Sequence, residues 1–506
     1  MIQDRNSAMK KKSPDMYNYK GCPLAVSLDE KISDIKNILC ESSDLLINPM
    51  EIAGVKTALI AFEGMISTSN TARMIMQPLM NISLPQGTSP QKLYEHIDGK
   101  MMLTLDKAIS KDYGDVITRV MSGFAVLLID GVSDAMSLGV QGYDKRGVDE
   151  PSSEGNITGA HEGFVETVRT NMSLVRRRIK SALLQFRLFS ISDKGSVDVI
   201  LCYMADRVSM KLVDKIQKQL KNIPLETILG CGYAEPYLNH TKLSVFSGVS
   251  VTERPDVMCA RLIEGRIGLL IEGTPFALVI PALFSDNFHT IDDYNFRPYF
   301  STFIRLIRYA AFIIAVFLPG IYTAAVIHHR EIIRRELLLN LAGAEITAPL
   351  PIIAEALIVL LFYEVIREAG VRLPKSVGGA VSIIGGLVIG DTAVSAGIIT
   401  NPMLLVCAIS VTAAFVVPSL DQPVAVLRLL CVIFGGLMGL FGVAVIAAVM
   451  LVSTCSLENY GVPVTSPFAP VTGKAFGDIF IRLGFKKLDK KNVTVEEFNG
   501  VENTKR

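Results

Sequence analysis

Apolar positions fall into two regimes along this chain. In the first, short runs bounded by turn residues alternate with helix-like periodicity. Val55–Ile60 (VKTALI) is apolar and partly β-branched, which predicts a strand leading through Gly64 into a helical segment that ends near Met80. Val197–Tyr203 (VDVILCY) repeats the plan, running through Asp206 into a segment that ends at Leu220 and carries Lys211, Asp214, Lys215 and Lys218 on one face. In the second regime, from about residue 297, the apolar runs approach the ~20 residues that cross a bilayer.

The first regime contains a duplication. Arg119, Gly123, Leu127, Leu128, Ile129 and Gly131 recur in kind as Arg261, Gly265, Leu269, Leu270, Ile271 and Gly273, and Val197 stands at the same 142-residue distance from Val55 as Arg261 from Arg119. Two separated segments that share one offset predict tandem copies of an α/β unit, with residues 55–66 equivalent to 197–208. Each copy has a strand ending in an acidic residue and glycine, Asp130–Gly131 and Glu272–Gly273, a pairing that predicts a tight turn rather than a catalytic carboxylate. Between the copies lies a polar loop, Asp144–Gly159. The basic run Val175–Ser181 (VRRRIKS) is expected to form a solvated helix face.

In the second regime, Tyr309–Ile327 forms a first span with Arg305 and Arg308 ahead of it. Pro319 near its centre frees a backbone carbonyl, which implies packing inside a bundle. Pro349–Ile366 forms a second span that holds Glu355 and ends near Glu364; the cost of a carboxylate in hydrocarbon requires that Glu355 face a partner or water. Val377–Ile399 carries six glycines, a GxxxG at Gly386 and Gly390, and the polar groups Ser382, Asp391, Thr392 and Ser395. It reads as a span or a re-entrant element. Its Val381, Ile384 and Val388, spaced by three and four, could close a pore by dewetting, with Ser382 and Asp391 alongside. Met403–Val417 and Val424–Val452 complete the set, followed by a net basic tail consistent with a cytoplasmic end.

Composition agrees with a membrane protein: half of the 506 residues are hydrophobic, only 20% are charged, and mean hydropathy is +0.39. The first 20 residues are polar and have no signal-peptide stretch, which places the soluble half in the cytoplasm. A net charge of +1 gives no electrostatic footprint for nucleic acid. None of the eight cysteines forms a CxxC pair, so neither zinc nor disulfides are expected, and the adjacent His328 and His329 lack metal-pair spacing. No Walker loop, nucleophile elbow or HExxH follows any strand, which excludes the familiar enzyme classes and points to no cofactor.

Taken in order, VRRRIKS at 175–181, Thr252–Val257 (TERPDV), Leu262–Pro281, Tyr309–Tyr322, Arg367–Pro374 (REAGVRLP), Ser382–Gly390 (SIIGGLVIG) and Gly461–Pro470 (GVPVTSPFAP) resemble the A subunits of GerA-type spore germination receptors. The resemblance covers most of the chain from about residue 175 onward. It implies a nutrient-receptor subunit of the inner spore membrane, with its soluble half in the spore core. Its implied partners are a transporter-like, nutrient-sensing B subunit and a lipoprotein C subunit, and copies of the chain would assemble as an ion-conducting channel. Family members often carry a second acidic residue in span two where Leu360 stands here.

The expected architecture is multi-domain, with tandem α/β soluble units followed by an all-α multi-span transmembrane domain. Its segments are a polar N-terminal stretch at 1–45, soluble units at 46–180 and 181–296, membrane helices at 297–455 and a basic tail at 456–506. The competing readings are a secondary transporter, motivated by Glu355, Pro319 and the glycine-broken helices, and a sporulation-membrane paralogue.

Overall fold

The structure is a computed structural model that describes residues 19–100, 103–104, 106–142, 151, 154–155, 158–191, 195–239, 244–347, 349–372, 390–473, 478–484, 494–498 and 501. The soluble half contains two five-stranded antiparallel sheets. The first is ordered β1-β2-β4-β5-β3, from β1 (Leu45–Ile52), β2 (Val55–Phe62), β3 (Lys107–Ser110), β4 (Phe124–Ile129) and β5 (Ala135–Gly139). The second repeats this order with β6 (Leu184–Ile191), β7 (Val197–Met204), β8 (Ser250–Thr252), β9 (Ile267–Ile271) and β10 (Ala277–Ile280).

The 142-residue offset holds at the level of register. Thr57 pairs with Ile129 and Val199 with Ile271; Leu127 pairs with Met136 and Leu269 with Leu278; Ser110 pairs with Ala135 and Thr252 with Ala277. The helix that crosses each sheet shifts by the same amount, α3 (Tyr113–Met121) in the first unit and α7 (Pro255–Ile263) in the second; α2 (Pro90–Lys100), α5 (Met210–Lys221) and α6 (Cys231–Leu238) lie in the connections between strands. Gly123 and Gly265, at φ +84° and +88°, turn each helix into its next strand, and Gly131 and Gly273, at +79° and +84°, begin the following turn. Both sites need the left-handed region that glycine enters without steric cost.

Each unit is closed by a helix ahead of its sheet. Helix α1 (Leu28–Ile38) buries Leu28, Ile35 and Ile38 against the first sheet, and α4 (Val168–Arg178) buries Val168, Met172 and Val175 against the second. Asp130 accepts the Leu28 N–H at 2.9 Å, and Glu272 accepts the Val168 N–H at 2.8 Å. The acidic residue at each strand end therefore satisfies an orphan donor in the first turn of its unit's leading helix, a structural role beyond that of turn former.

The basic run at 175–181 is not a solvated face. Arg176 is fully buried: its Nε donates to Asp44 at 2.7 Å, its Nη2 donates to the Leu184 carbonyl at 3.0 Å, and its plane stacks between Phe62 and Phe186. It ties the second unit's leading helix to the loop before β1. Arg177 and Arg178 both pair with Glu162.

The C-terminal half is helical: α8 (Pro298–His328), α9 (Arg335–Thr347), α10 (Ile352–Arg372), a short helix Gly390–Ser395, α12 (Asn401–Ala414) and α13 (Asp421–Ser456), α11 denoting the short one. Among the described residues, two helices are long and apolar enough to cross a membrane, Pro298–His328 and Pro418–Ser456. The run read as one span at Val424–Val452 breaks at Gly439, whose φ of +66° and ψ of −151° are not helical. In a continuous helix, residues eight apart lie ~12 Å from each other. Here a Cβ on Gly442 would overlap the Phe434 carbonyl, so residues 421–438 and 440–456 fold back on one another. Consistent with that reversal, Leu420 and Leu457 share one hydrophobic cluster.

Glycine also sets a close contact between α8 and α13. A Cβ on Gly320 of α8 would lie 2.6 Å from the Cys431 carbonyl, and one on Gly435 would lie 2.5 Å from the Gly320 carbonyl. The two backbones therefore touch, as small-residue seams allow. After α13 the chain returns to the second soluble unit. There the Phe284 N–H donates to the Val464 carbonyl at 2.8 Å, Asn459 donates to the Gly248 carbonyl at 2.7 Å, and the Val495 N–H donates to the Glu264 carbonyl at 3.0 Å.

Candidate functional site

Three polar centres are built into or against the helical half. The first surrounds Glu355. It is buried, and its neighbours Ala356, Leu360, Ile399, Met403 and Cys407 are apolar. Its carboxylate accepts the backbone N–H of Thr400, the N-cap of α12. The positive end of that helix thus receives the negative charge, which offsets the cost of placing a carboxylate among apolar side chains. Leu360 packs in the same cluster, so the pair of acids that the family resemblance suggests is a single acid here.

The second centre lies toward the other end of α10. Glu364 accepts from Arg428 at 3.0 Å and from Arg367 at 2.6 Å, and Arg367 also pairs with Asp421. Arg428 is buried, with its guanidinium 5.5 Å from the Tyr363 ring. The sequence pattern alone marks Glu364 as a span end and assigns no role to Arg428. The available signal was that Arg428 is the sole cation between Asp421 and Ser456.

The third centre joins the soluble half to α8. Buried Asp293 accepts from Arg305 at 2.9 Å and from Arg308 at 2.8 Å; Arg305 also donates to Asp478 at 2.9 Å, and the Tyr294 hydroxyl donates to Asp478 at 2.7 Å. Arg482 donates to the Tyr294 carbonyl at 3.1 Å. The two arginines read as flanking a span are therefore bolts, gripped by the end of the second soluble unit and by the C-terminal segment. His289 lies against this network with its ring 2.9 Å from the Ile479 carbonyl oxygen; burial, and then the nearby Arg305 charge, push its pKa down to about 4. Asp286 is held well below the usual carboxylate range: burial opposes ionisation, but Arg261 and Arg266 outweigh it. Arg261, the second member of the repeated arginine pair, thus acts within this joint.

Val381, Ser382, Ile384 and Val388 lie outside the described residues. Asp391 belongs to the helix Gly390–Ser395, and its side chain is outside the described set. Glu355 is the sequence-derived site residue whose surroundings the structure defines.

The profile described as Bacillus/Clostridium GerA spore germination protein matches residues 33–494, which takes in both five-stranded sheets and all three polar centres. The chain belongs to the GerA spore germination protein family. Among GerA relatives, Spore germination protein KA of Bacillus subtilis is 32% identical over 94% of this chain and 88% of its own length. The Uncharacterized membrane protein YfkQ of the same organism is 31% identical over 96% of this chain and 94% of its own. The crystal structure of the N-terminal domain of the A subunit of the Bacillus megaterium spore germinant receptor GerK3 is 29% identical, covers 52% of this chain and 97% of that domain, and gives a TM-score of 0.42. Membership of the GerA family agrees with the order of resembling segments, from VRRRIKS at 175–181 to GVPVTSPFAP at 461–470.

Proposed function

We propose that this chain is the A subunit of a spore germinant receptor, a multi-pass protein of the inner spore membrane with its soluble half in the spore core. Copies of it oligomerise into a nutrient-gated ion channel whose opening triggers germination. The observation that carries this reading is the pairing of an apolar helical bundle with internal charges that each meet a counter-charge or a helix N-terminus. Glu355 is held by a helix N-terminus and Glu364 by Arg428 and Arg367, an arrangement suited to helices that stay in hydrocarbon. The glycine-rich segment Val377–Ile399 supplies close-packing surface and polar groups for an oligomer axis, with Val381, Ile384 and Val388 as the constriction. A transporter-like B subunit that senses the nutrient and a lipoprotein C subunit complete the receptor. The bolted joint at Asp293, Arg305 and Asp478 offers a stiff path from the soluble units into α8.

Electrical recording from the purified full-length oligomer in planar bilayers tests this. Discrete, ion-selective steps are expected. Solute-coupled flux without channel steps would assign the chain to the transporter class instead, and an electrically silent oligomer of verified insertion would remove the channel reading.

A further inference from the structure

Helix α8 is longer than hydrocarbon requires. Its 31 residues extend about 46 Å, against ~30 Å of hydrocarbon and ~40–45 Å for the bilayer with its headgroups. At one end the His328 Nε2–H donates to the Gly436 carbonyl at 2.8 Å beside the α13 reversal, so about 20 residues counted back from Ile327 reach Arg308. The remaining turns, Pro298–Ile307, carry two opposite faces. One is the ionic joint, with Ser301 and Arg305 buried. The other exposes Tyr299, Phe300, Phe303, Leu306 and Ile307, and Ile481 of the C-terminal segment is exposed alongside, next to Arg482, whose N–H donates to Thr302.

We infer that this collar of aromatic and aliphatic side chains beds in the lipid interface, at the level of the headgroups and upper acyl chains. The inference rests on the membrane reading of α8. Two observations select lipid as the occupant. The exposed stripe runs on without a break into the outward face of the span, where Ile307, Ile314 and Ile321 recur every seven residues, so whatever covers the span also reaches the collar. At the collar's outer edge stands Arg297, exposed and, among the described residues, in no ion pair, where its charge complements lipid phosphate. Tyr299 suits this depth because its ring face meets acyl chains while its hydroxyl stays wet, and the phenylalanines and aliphatics beside it bury apolar surface in the upper acyl chains. The collar would then set the height of the soluble half above the membrane. Because Arg305 lies on the same two turns, it would also fix the depth of the ionic joint.

The chain contains no tryptophan, so a single substitution gives a unique fluorophore. Full-length Phe303→Trp and Tyr299→Trp, both at exposed positions, would be reconstituted in phosphatidylcholine–phosphatidylglycerol vesicles. Their emission would be quenched with lipids brominated either high on the acyl chain or near its end. Ile314→Trp serves as the reference for the span. The inference expects Phe303→Trp to be quenched about two-fold more by the shallow bromines, and Ile314→Trp to show the opposite order. If Ile314→Trp is quenched but the collar variants are not, the collar inference fails: red emission would mean water covers them, and blue emission would mean a second copy or another subunit does. If Ile314→Trp escapes both lipids, the membrane reading itself fails.

Discussion

The hydroxyl of Ser410 on α12 donates a 2.7 Å hydrogen bond to the carbonyl of Ala315 on α8. Ala315 stands four residues before Pro319, and its carbonyl is the one that the missing proline N–H leaves free. A sequence-level need and a tertiary contact therefore meet at one atom. Both residues are fully buried, so no water is at hand to replace the bond.

Ser410→Ala removes that donor and leaves a buried carbonyl unpaired, an expected loss of about 1–3 kcal/mol. Pro319→Ala restores the helical N–H, so in that background Ser410→Ala should cost less than about 0.5 kcal/mol. Thermal unfolding of the four detergent-purified forms completes the cycle. Additive single and double effects would show that Ser410 serves the proline only by proximity.

His289 makes stability pH-dependent. Its folded pKa is about 4 against an ordinary 6.5, so the unfolded chain takes up a proton in that window while the folded chain does not. Stability is complete above about pH 6.5 and falls as pH drops toward about 4, by at most about 1.4 kcal/mol per pH unit. Asp286 and Asp293, whose folded pKa values are depressed, lose their contribution only at more acidic pH. Unfolding midpoints measured across pH 4–7 should slope for the wild type and flatten for His289→Asn. An unchanged slope in the variant would exclude the histidine as its source.

The two kinds of signal in this chain differ in range. The repeat was readable because strand patterning and positive-φ glycines are local, and the register of Thr57 with Ile129 reappears unchanged in Val199 with Ile271. Arg176 misled because its partner Asp44 lies 132 residues away, and a local charge run gives no hint of such a partner. Pro319 announced a need for a donor but could not name Ser410. Glycines at 435, 436, 439 and 442 stand in the run read as one span, yet only tertiary contacts decide that the helix breaks at Gly439. Asp478, in a segment read as a basic tail, meets Arg305 across 173 residues.

Breaking the Arg176 bolt from one side should be worse than removing it. Asp44→Ala leaves a buried, uncompensated guanidinium, with an expected loss of about 3–5 kcal/mol, whereas the double replacement Arg176→Met with Asp44→Leu should recover part of it. Limited proteolysis of the full-length chain between the two soluble units reads the effect. If Asp44→Ala is as resistant as wild type, the pair does not hold the units together.

If Val381, Ile384 and Val388 form the proposed constriction, Val381→Ser or Val388→Ser should hydrate it and let ions leak without nutrient, at normal protein abundance. Lower abundance with no leak would instead mark helix packing at those positions. If serine at Val381, Ile384 and Val388 leaves abundance and nutrient dependence both normal, the segment does not line the pore.

Glu355 separates charge from shape. Its carboxylate receives the Thr400 N–H at the start of α12, so both an acceptor and a negative charge face a helix N-terminus. A helix end of that kind favours an anion by about 0.3–1 kcal/mol, and up to ~2 kcal/mol where water is excluded. Glu355→Gln keeps an acceptor oxygen but loses the charge and brings an N–H₂ group toward other donors. Glu355→Asp keeps the charge on a side chain one methylene shorter, so the helix N-terminus still sees an anion. Glu355→Leu keeps the volume and abandons the Thr400 N–H altogether, which adds the cost of an unsatisfied buried donor, about 1–3 kcal/mol. The expected order of damage is therefore Leu, then Gln, then Asp, read both as complex abundance in spores and as nutrient-triggered germination. Equal abundance across the series with germination lost in Gln and Leu would assign the charge to gating, while a parallel fall in both would assign it to assembly. Normal germination in Glu355→Leu would exclude both roles and leave the buried carboxylate without a function.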